Sequence, residues 1–170
     1  MALPSALSTG AGGARQERGP MPTSDRNLVL IVDDTPTNVS VIAGLLKDSY
    51  KSKVATNGEK ALAIAAGTER PALILLDVMV PGMDGYEVCR RLKATPATAE
   101  IPVIFLTAKR DAIDEENGFE VGAVDYIHKP FSGPIVLARV KTQLALQEAL
   151  KEANEARDQA DELLHVLLPR

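Results

Sequence analysis

Three acidic side chains follow two short apolar segments of this sequence. Asp33 and Asp34 come directly after Leu28–Val32. Asp77 follows the apolar segment Ala72–Leu76 in the same way. Uninterrupted apolar runs of this length are typical of strands buried on both faces of a parallel sheet. Because ligands bind outside the carboxyl ends of such strands, the sequence predicts that the three carboxylates converge at one edge of a sheet.

The chemistry predicted for this acidic cluster is divalent metal binding beside a carboxylate nucleophile. Like charges in one cleft repel, and a cation held by oxygen ligands, such as Mg²⁺, relieves that repulsion. A carboxylate that ends a buried strand and faces other carboxylates is a candidate for a functional role. Asp77 is therefore the candidate nucleophile, and an ordinary strand-end aspartate is the alternative interpretation.

The elements that would position these residues alternate between strands and helices. The helices between the strands begin near Pro36 and then cover Glu59–Ala66, Gly85–Ala94 and Ala112–Val121. Strands that alternate with helices predict an α/β fold with a doubly wound, five-stranded parallel sheet and helices on both faces. The predicted strands are Leu28–Val32, Lys51–Ala55, Ala72–Leu76, Pro102–Leu106 and Val124–Ile127.

The segments on either side of this unit have a different composition. Residues 1–27 are rich in Gly, Ala, Ser and Pro and lack an apolar period, which predicts a disordered leader. At the other end, Ser132 is a suitable helix cap, and neither Gly nor Pro interrupts the chain from Ile135 to Pro169. The sequence predicts one long helix there, of which the part up to Leu144 completes the domain of residues 28–144. Residues 145–170 would extend beyond it.

This extension carries apolar residues at alternating spacings of three and four. The heptad spacing predicts a parallel two-stranded coiled coil and therefore a homodimer, although small alanines make the contact weak. An Ala-rich helix surrounded by solvent is the alternative, but it would expose the apolar residues near Leu163. These apolar residues form the heptad seam of the helix, which consists of Leu146, Ala149, Ala153, Ala156, Ala160, Leu163 and Leu167.

The composition argues against several functional classes. The net charge of −4 and the aromatic content of 4%, without Trp, disfavour nucleic acid as a partner. With Cys89 as the single cysteine there is no internal disulfide framework, which suits a reducing cytoplasm, and we expect Cys89 to be a small buried filler. No apolar run approaches the length of a membrane span, so we expect no membrane association.

In their order and spacing these motifs resemble the receiver domain of two-component response regulators. The separations are 44 residues from Asp33 to Asp77, 30 from there to Thr107, and 22 more to Lys129. The resemblance covers residues 27–144 and implies a flavodoxin-like sheet with strand order 2-1-3-4-5. The matching motifs are Asp33-Asp34, Asp77 with the loop that follows it, Thr107-Ala108 and Lys129-Pro130-Phe131.

The resemblance implies that Asp77 is the phosphoacceptor, which forms an acyl phosphate by nucleophilic attack. Lys129 would supply a positive charge after a cis peptide bond to Pro130, while Thr107 and Tyr126 would be the switch residues. Three aspartates, one Mg²⁺ and one lysine sum to a neutral site before the phosphoryl group arrives. The implied magnesium ligands are Asp33, Asp34, Asp77 and the backbone carbonyl of Met79.

The resemblance also implies partners for this chain. A histidine kinase or phosphotransfer protein would supply phosphate, and the long helix would relay the state to an output domain. The ending Leu167–Arg170 resembles the junction before class III nucleotide cyclase domains and serine phosphatase domains. We therefore expect no enzyme activity of this chain beyond its own phosphorylation and dephosphorylation.

Two other functions compete with this interpretation. An Asp-nucleophile phosphohydrolase usually has an acid two residues after the nucleophile, where this chain has Met79, which cannot transfer a proton. The other is a dimerising scaffold, or pseudo-receiver, in which phosphorylation plays no part.

Overall fold

The computed structural model describes residues 27–108 and 117–167, with side chains up to residue 163. The strands are β1 (Leu28–Val32), β2 (Lys51–Ala55), β3 (Leu73–Asp77), β4 (Val103–Thr107) and β5 (Asp125–His128). The helices are α1 (Pro36–Leu46), α2 (Gly58–Ala65), α3 (Gly85–Ala94), the helical residues 117–120 (α4) and α5 (Gly133–Leu167). The predicted leader up to residue 26 and residues 112–116 of a predicted helix lie outside the described residues.

The five strands form one parallel sheet in the order β2-β1-β3-β4-β5, which confirms the predicted fold. Every residue of β1, β3 and β4 is buried, as their continuous apolar sequences predict. Strand β2 lies at an edge and exposes three of its five residues. The central strands therefore carry the core, and their carboxyl ends share one edge of the sheet.

Alternate residues of the strands pack into two apolar layers. On one face, Leu30 and Phe105 pack with the inner residues of α2 and α3, among them Val88 and Leu92. On the other face, the remaining strand residues pack against α1 and α5; the helix residues buried there are Ile42, Leu46, Val136 and Val140. Helices thus cover both faces, as a right-handed doubly wound sheet requires.

Strands β3, β4 and β5 each begin and end one residue later than predicted. The backbone of Asp77 pairs with Leu106, and that of Thr107 pairs with His128, within the parallel ladder. A polar side chain does not prevent its own backbone from pairing, so the ladder continues one residue past the apolar run. Asp77 and Thr107 are therefore the last residues of their strands, and the sheet itself holds their backbones.

Helix α5 runs for 35 residues, and its two ends have different surroundings. Val136 and Val140 are completely buried against the sheet, and Leu144 is half-buried. From residue 148 to residue 163 every side chain is exposed. Of the helices that the structure describes, none has both the length and the apolar character needed to cross a bilayer.

Candidate functional site

The three predicted carboxylates meet at the carboxyl edge of the sheet. Asp33 follows β1 and is completely buried, while Asp77 ends β3 and is only 4% exposed. Asp34 is exposed to solvent beside them. One carboxylate oxygen from each residue lies within 4.8 Å of the others, so together they can hold a metal ion. The donors are all hard carboxylate oxygens, which fits Mg²⁺ and other hard divalent cations.

The Asp33 side chain is fixed by the start of α1. Its Oδ1 accepts a 2.9 Å hydrogen bond from the Thr35 N–H, and its Oδ2 accepts a 3.1 Å bond from the Asn38 side-chain amide. The backbone N–H of Asp33 donates to the carbonyl of Ala55 at 3.1 Å. Thr35 and Asn38 are not among the site residues predicted from the sequence. An aspartate followed two residues later by Thr-Pro is an Asx-turn signal that would have found the first of them.

The carboxylate of Asp77 has a donor on each oxygen. Oδ1 accepts a 3.0 Å hydrogen bond from the Met79 N–H, and Oδ2 accepts a 2.9 Å bond from the Lys129 ammonium. Burial raises the pKa of Asp77 above its ordinary value, and the nearby charge of Asp33 adds to that rise. The two hydrogen bonds act in the opposite direction without cancelling the effect of burial. Any further positive charge that enters the site would therefore stabilise the ionised form of Asp77.

Lys129 reaches this cluster from the end of β5. Its backbone N–H donates to the carbonyl of Thr107 at 2.9 Å, which ties it to the end of β4. The peptide bond between Lys129 and Pro130 is cis, as the resemblance implies. Its ammonium also lies 3.7 Å from Oδ2 of Asp33, so this one cation forms ion pairs with two of the three carboxylates.

The predicted switch residues are both buried. Thr107 ends β4 and is 3% exposed, and Tyr126 in β5 is 5% exposed. The ring of Tyr126 lies between two other rings, with centroid distances of 5.7 Å to Phe105 and 5.2 Å to Phe119. Thr107 thus borders the carboxylate edge, while Tyr126 occupies an inward position in the apolar layer that contains Phe105.

The loop after Asp77 turns tightly before α3 begins. Gly82 has a φ of +83°, and the Gly85 N–H donates to the carbonyl of Val78 at 2.8 Å. Asp84 caps α3 by accepting a 2.9 Å bond from the Glu87 N–H. A Cβ atom on Gly85 would lie 2.5 Å from the backbone oxygen of Asp77, so this close approach requires glycine.

Cys89 lies on α3 within the apolar core, as predicted. It is completely buried, and burial raises the pKa of its thiol to about 11. Its Sγ donates to the carbonyl of Val121 at 3.4 Å. A buried, protonated thiol is a packing residue, so Cys89 has no part in the chemistry of the acidic cluster.

Residues 29–141 match the family described as the response regulator receiver domain. A protein of Vibrio cholerae named as a probable cyclic di-GMP phosphodiesterase is 48% identical over 117 residues, which cover 68% of this chain and 26% of that protein. A crystal structure of a putative response regulator from Chloroflexus aurantiacus has a TM-score of 0.68 and 37% identity, and the match covers 71% of this chain and 99% of that one.

A second similar structure holds a metal in its cleft. It is the receiver domain of the sensor histidine kinase PA1611 from Pseudomonas aeruginosa, with a magnesium ion coordinated in the active-site cleft. Its TM-score is 0.65 at 30% identity, over 71% of this chain and 98% of that one. By contrast, this chain spans only 26% to 53% of the length of the curated relatives that it matches.

Proposed function

This chain belongs to the response regulator receiver domain family, a phosphoacceptor signalling module of two-component systems, and we propose that Asp77 is its phosphoacceptor. The observation that carries this proposal is the pairing of a buried Asp77 carboxylate with the Lys129 ammonium at 2.9 Å, beside Asp33 and Asp34. Burying a carboxylate among like charges lowers the stability of the fold, so such a group is a candidate for a functional role. Attack on a phosphoryl group is a role that fits this carboxylate.

In the proposed reaction an Asp77 oxygen attacks the phosphorus of a phosphohistidine on a histidine kinase or phosphotransfer protein. A P–O bond forms to Asp77, the P–N bond to the imidazole breaks, and the imidazole nitrogen takes up a proton. The Lys129 ammonium stabilises the negative charge that develops on the transferred group. Asp33, kept in place by the Thr35 N–H and the Asn38 amide, holds its carboxylate toward the metal position.

The proposed magnesium ligands are Asp33, Asp34, Asp77 and the backbone carbonyl of Met79. Support comes from the clustered carboxylate oxygens and from the similar Pseudomonas receiver domain, in which magnesium is coordinated in the cleft. When bound, the ion supplies positive charge that neutralises the transferred phosphoryl group. Receiver domains bind Mg²⁺ at such an acidic pocket, and we propose the same for this chain.

We propose that Thr107 and Tyr126 relay the phosphorylated state. Thr107 ends the strand beside β3, so its hydroxyl is near the group that would form on Asp77. Tyr126 follows on the adjacent strand β5, where it pairs with Phe105. A new hydrogen bond from Thr107 to the phosphoryl group would favour one Tyr126 position and so alter the surface of α4, β5 and α5.

We further propose that α5 joins two copies of this chain. Two leucines of the heptad seam are exposed on this helix beyond the domain, Leu146 at 48% and Leu163 at 61%. At about 100° per residue, the heptad residues from Leu146 to Leu163 lie more than about 90° around the helix from the direction midway between Val136 and Val140, which are buried against the sheet. A second helix can therefore pair with them without displacing the domain. This proposal keeps residues 28–144 as the receiver domain, residues 145–170 as the coiled coil and residues 1–27 as a leader.

The output of this module is proposed to be a separate enzymatic domain. The Vibrio relative, of which the match covers 26%, is named as a probable cyclic di-GMP phosphodiesterase. Within this chain we propose only self-phosphorylation and self-dephosphorylation. A cytoplasmic location belongs to the same proposal, because the single buried thiol suits a reducing compartment.

Mass spectrometry tests the phosphoacceptor directly. After incubation with Mg²⁺ and acetyl phosphate, the peptide that contains residue 77 should gain the mass of one phosphoryl group. Asp77→Asn should abolish the gain, whereas Asp84→Asn, in an exposed cap that asparagine can also provide, should keep it. Absence of phosphate in the wild type would favour the scaffold, and repeated turnover of a phosphoester would favour the phosphohydrolase.

A further inference from the structure

Gly118 in α4 lies directly against the side chain of Tyr126. A Cβ atom built on Gly118 would overlap the Tyr126 hydroxyl oxygen, and would lie 2.5 Å from Cζ and 2.9 Å from Cε1. Real Cβ atoms essentially never approach other heavy atoms so closely. The inward position of the Tyr126 ring is therefore compatible only with glycine at residue 118.

The backbone of Gly118 is fixed by the end of its helix. The Ala123 N–H donates to the carbonyl of Gly118 at 3.0 Å, and the Gly122 N–H donates to the carbonyl of Phe119 at 3.0 Å. With Gly122 at a φ of +105°, these two bonds form a Schellman motif. The Val124 N–H then donates to the carbonyl of Val103 at 2.9 Å, which ties the following residues to β4. A side chain at residue 118 would therefore displace the tyrosine ring more readily than the backbone.

The surroundings of the Tyr126 ring differ on its two sides. On its inner side it contacts Phe105, and on its outer side it contacts Phe119, which is itself 52% exposed. Tyr126 lies on the edge strand β5, so rotation about its χ1 angle would carry the ring toward this half-open side. In such an outward position the ring would leave the space against Gly118, which it fills in the structure.

We propose that Gly118 is a positioning residue of the Tyr126 switch. Its missing side chain makes room for the inward ring, and any larger residue would hold the ring outward whether or not Asp77 is phosphorylated. This inference rests on the proposed relay from Asp77 to Tyr126 for its regulatory meaning. The steric relationship between Gly118 and Tyr126 holds independently of that relay.

The test uses Gly118→Ala, with Gly44→Ala as a matched control, because a Cβ on Gly44 meets no heavy atom within 4 Å. Both variants of the full chain are labelled on the tyrosine rings for NMR. The chain has three tyrosines, and Tyr126→Phe assigns the relevant signal. A paramagnetic co-solute should relax the Tyr126 ring several-fold more strongly in Gly118→Ala than in the wild type or in Gly44→Ala. A folded Gly118→Ala protein whose Tyr126 ring is as protected as in the wild type would overturn the proposal.

A second measurement tests the steric relationship between Gly118 and Tyr126 if Gly118→Ala is poorly folded. The shift in unfolding midpoint caused by alanine at residue 118 is measured in the wild type and in Tyr126→Ala. Since the three heavy atoms nearest to the added Cβ all belong to the Tyr126 side chain, most of the loss should disappear in the Tyr126→Ala background. An equal loss in both backgrounds would show that residue 118 is constrained by something other than Tyr126, which contradicts the proposal.

Beryllium fluoride with Mg²⁺ separates this inference from the phosphoacceptor proposal. We expect Gly118→Ala to bind beryllium fluoride as the wild type does, but to lose the resulting change in the backbone NMR signals of β5. Failure of the wild type to bind it would count against Asp77 as phosphoacceptor, while the ring exposure would still decide the role of Gly118. A full β5 response in Gly118→Ala would refute the regulatory part of the inference.

Discussion

The ammonium of Lys129 lies 2.9 Å from Oδ2 of Asp77, although 52 residues separate the two in the chain. The two residues come from the ends of β5 and β3, on either side of β4. Asp77 is nearly completely buried, and its pKa is raised by that burial in spite of the lysine. The charge of the proposed nucleophile therefore depends on its cations, and this dependence leads to the first two predictions.

Removal of the lysine should slow phosphorylation. Lys129→Ala deletes a charge-assisted hydrogen bond, of the kind worth about 1.5–3 kcal/mol, and leaves the carboxylates without their ammonium. Because about 1.4 kcal/mol corresponds to tenfold, we expect phosphorylation by acetyl phosphate to be about 10- to 150-fold slower. Lys60→Ala, an exposed change on α2, is the control and should leave the rate unchanged. A Lys129→Ala protein that is phosphorylated at the wild-type rate would exclude this role for the ammonium.

Magnesium should stabilise the fold, and more so as the pH rises. Since the pKa of Asp77 is raised by folding, the metal-free folded state holds its proton more tightly than the unfolded state. Its stability therefore falls as the pH rises through the window above the ordinary value of 3.8. Mg²⁺ competes with that proton, so its stabilising effect should grow through the same window.

Thermal unfolding with and without Mg²⁺ measures this effect. At about 100 times its dissociation constant, one bound ion raises the free energy of unfolding by about 2.7 kcal/mol. Asp77→Asn should lose most of that gain and should be more stable than the wild type without metal, because it removes a buried charge. The control Asp84→Asn should keep the full magnesium effect. An equal response to magnesium in both variants would mean that Asp77 is not a ligand.

Gly85→Ala should destabilise the protein and disturb the loop after Asp77. The added Cβ would lie 2.5 Å from the backbone oxygen of Asp77 and 2.9 Å from Cα of Val78, and neither atom can move without shifting β3. We expect a loss of about 1–3 kcal/mol, as for other overpacked sites. Gly44→Ala, where the Cβ meets open space, should instead gain about 0.5–1 kcal/mol. Urea unfolding compares the two, and similar midpoints would contradict the steric argument.

Much of this arrangement could be predicted from the sequence because the site residues end strands. Parallel strands in one sheet bring Asp33, Asp77 and Thr107 to one edge, whatever the details of the packing. The predicted bounds of β1 and β2 are confirmed, whereas those of β3, β4 and β5 are wrong by one residue because the backbone ladder continues where the side chains become polar. The hydrogen bond from the Asn38 amide to Asp33 and the close packing of Tyr126 against Gly118 depend on how closely the helices approach the sheet. No spacing in the sequence reveals that distance.

Alkaline pH should destabilise the wild type more than Cys89→Ala. Burial raises the pKa of the Cys89 thiol from its ordinary 9.0 to about 11. The stabilising effect of the neutral, buried thiol is complete below pH 9 and is lost as the pH rises toward 11. In this range the wild type should lose about 1.4 kcal/mol per pH unit relative to the variant. Guanidinium unfolding at pH 8, 9 and 10 measures the difference, and a constant gap between the two proteins would contradict it.

The proposed dimer is limited by the small residues in the exposed part of α5, because alanines bury little apolar area. Ala153 lies in the heptad seam, whereas its neighbour Asn154 lies about 100° further around the helix. Both positions are exposed in the single chain, and Ala and Leu have similar helix propensities. A larger apolar residue should therefore strengthen pairing only at the seam, because only there does it become buried between two helices.

Sedimentation equilibrium of matched variants tests this prediction. Ala153→Leu adds apolar area to both partners, and burial of that area is worth about 0.8 kcal/mol for each methylene group. We expect the dimer dissociation constant to fall by about tenfold or more. Ala153→Asp should raise that constant, and Asn154→Leu should not lower it. If both leucine variants associate equally, the seam does not define the interface. If Ala153→Leu remains monomeric at tens of micromolar, α5 does not join two copies by this face.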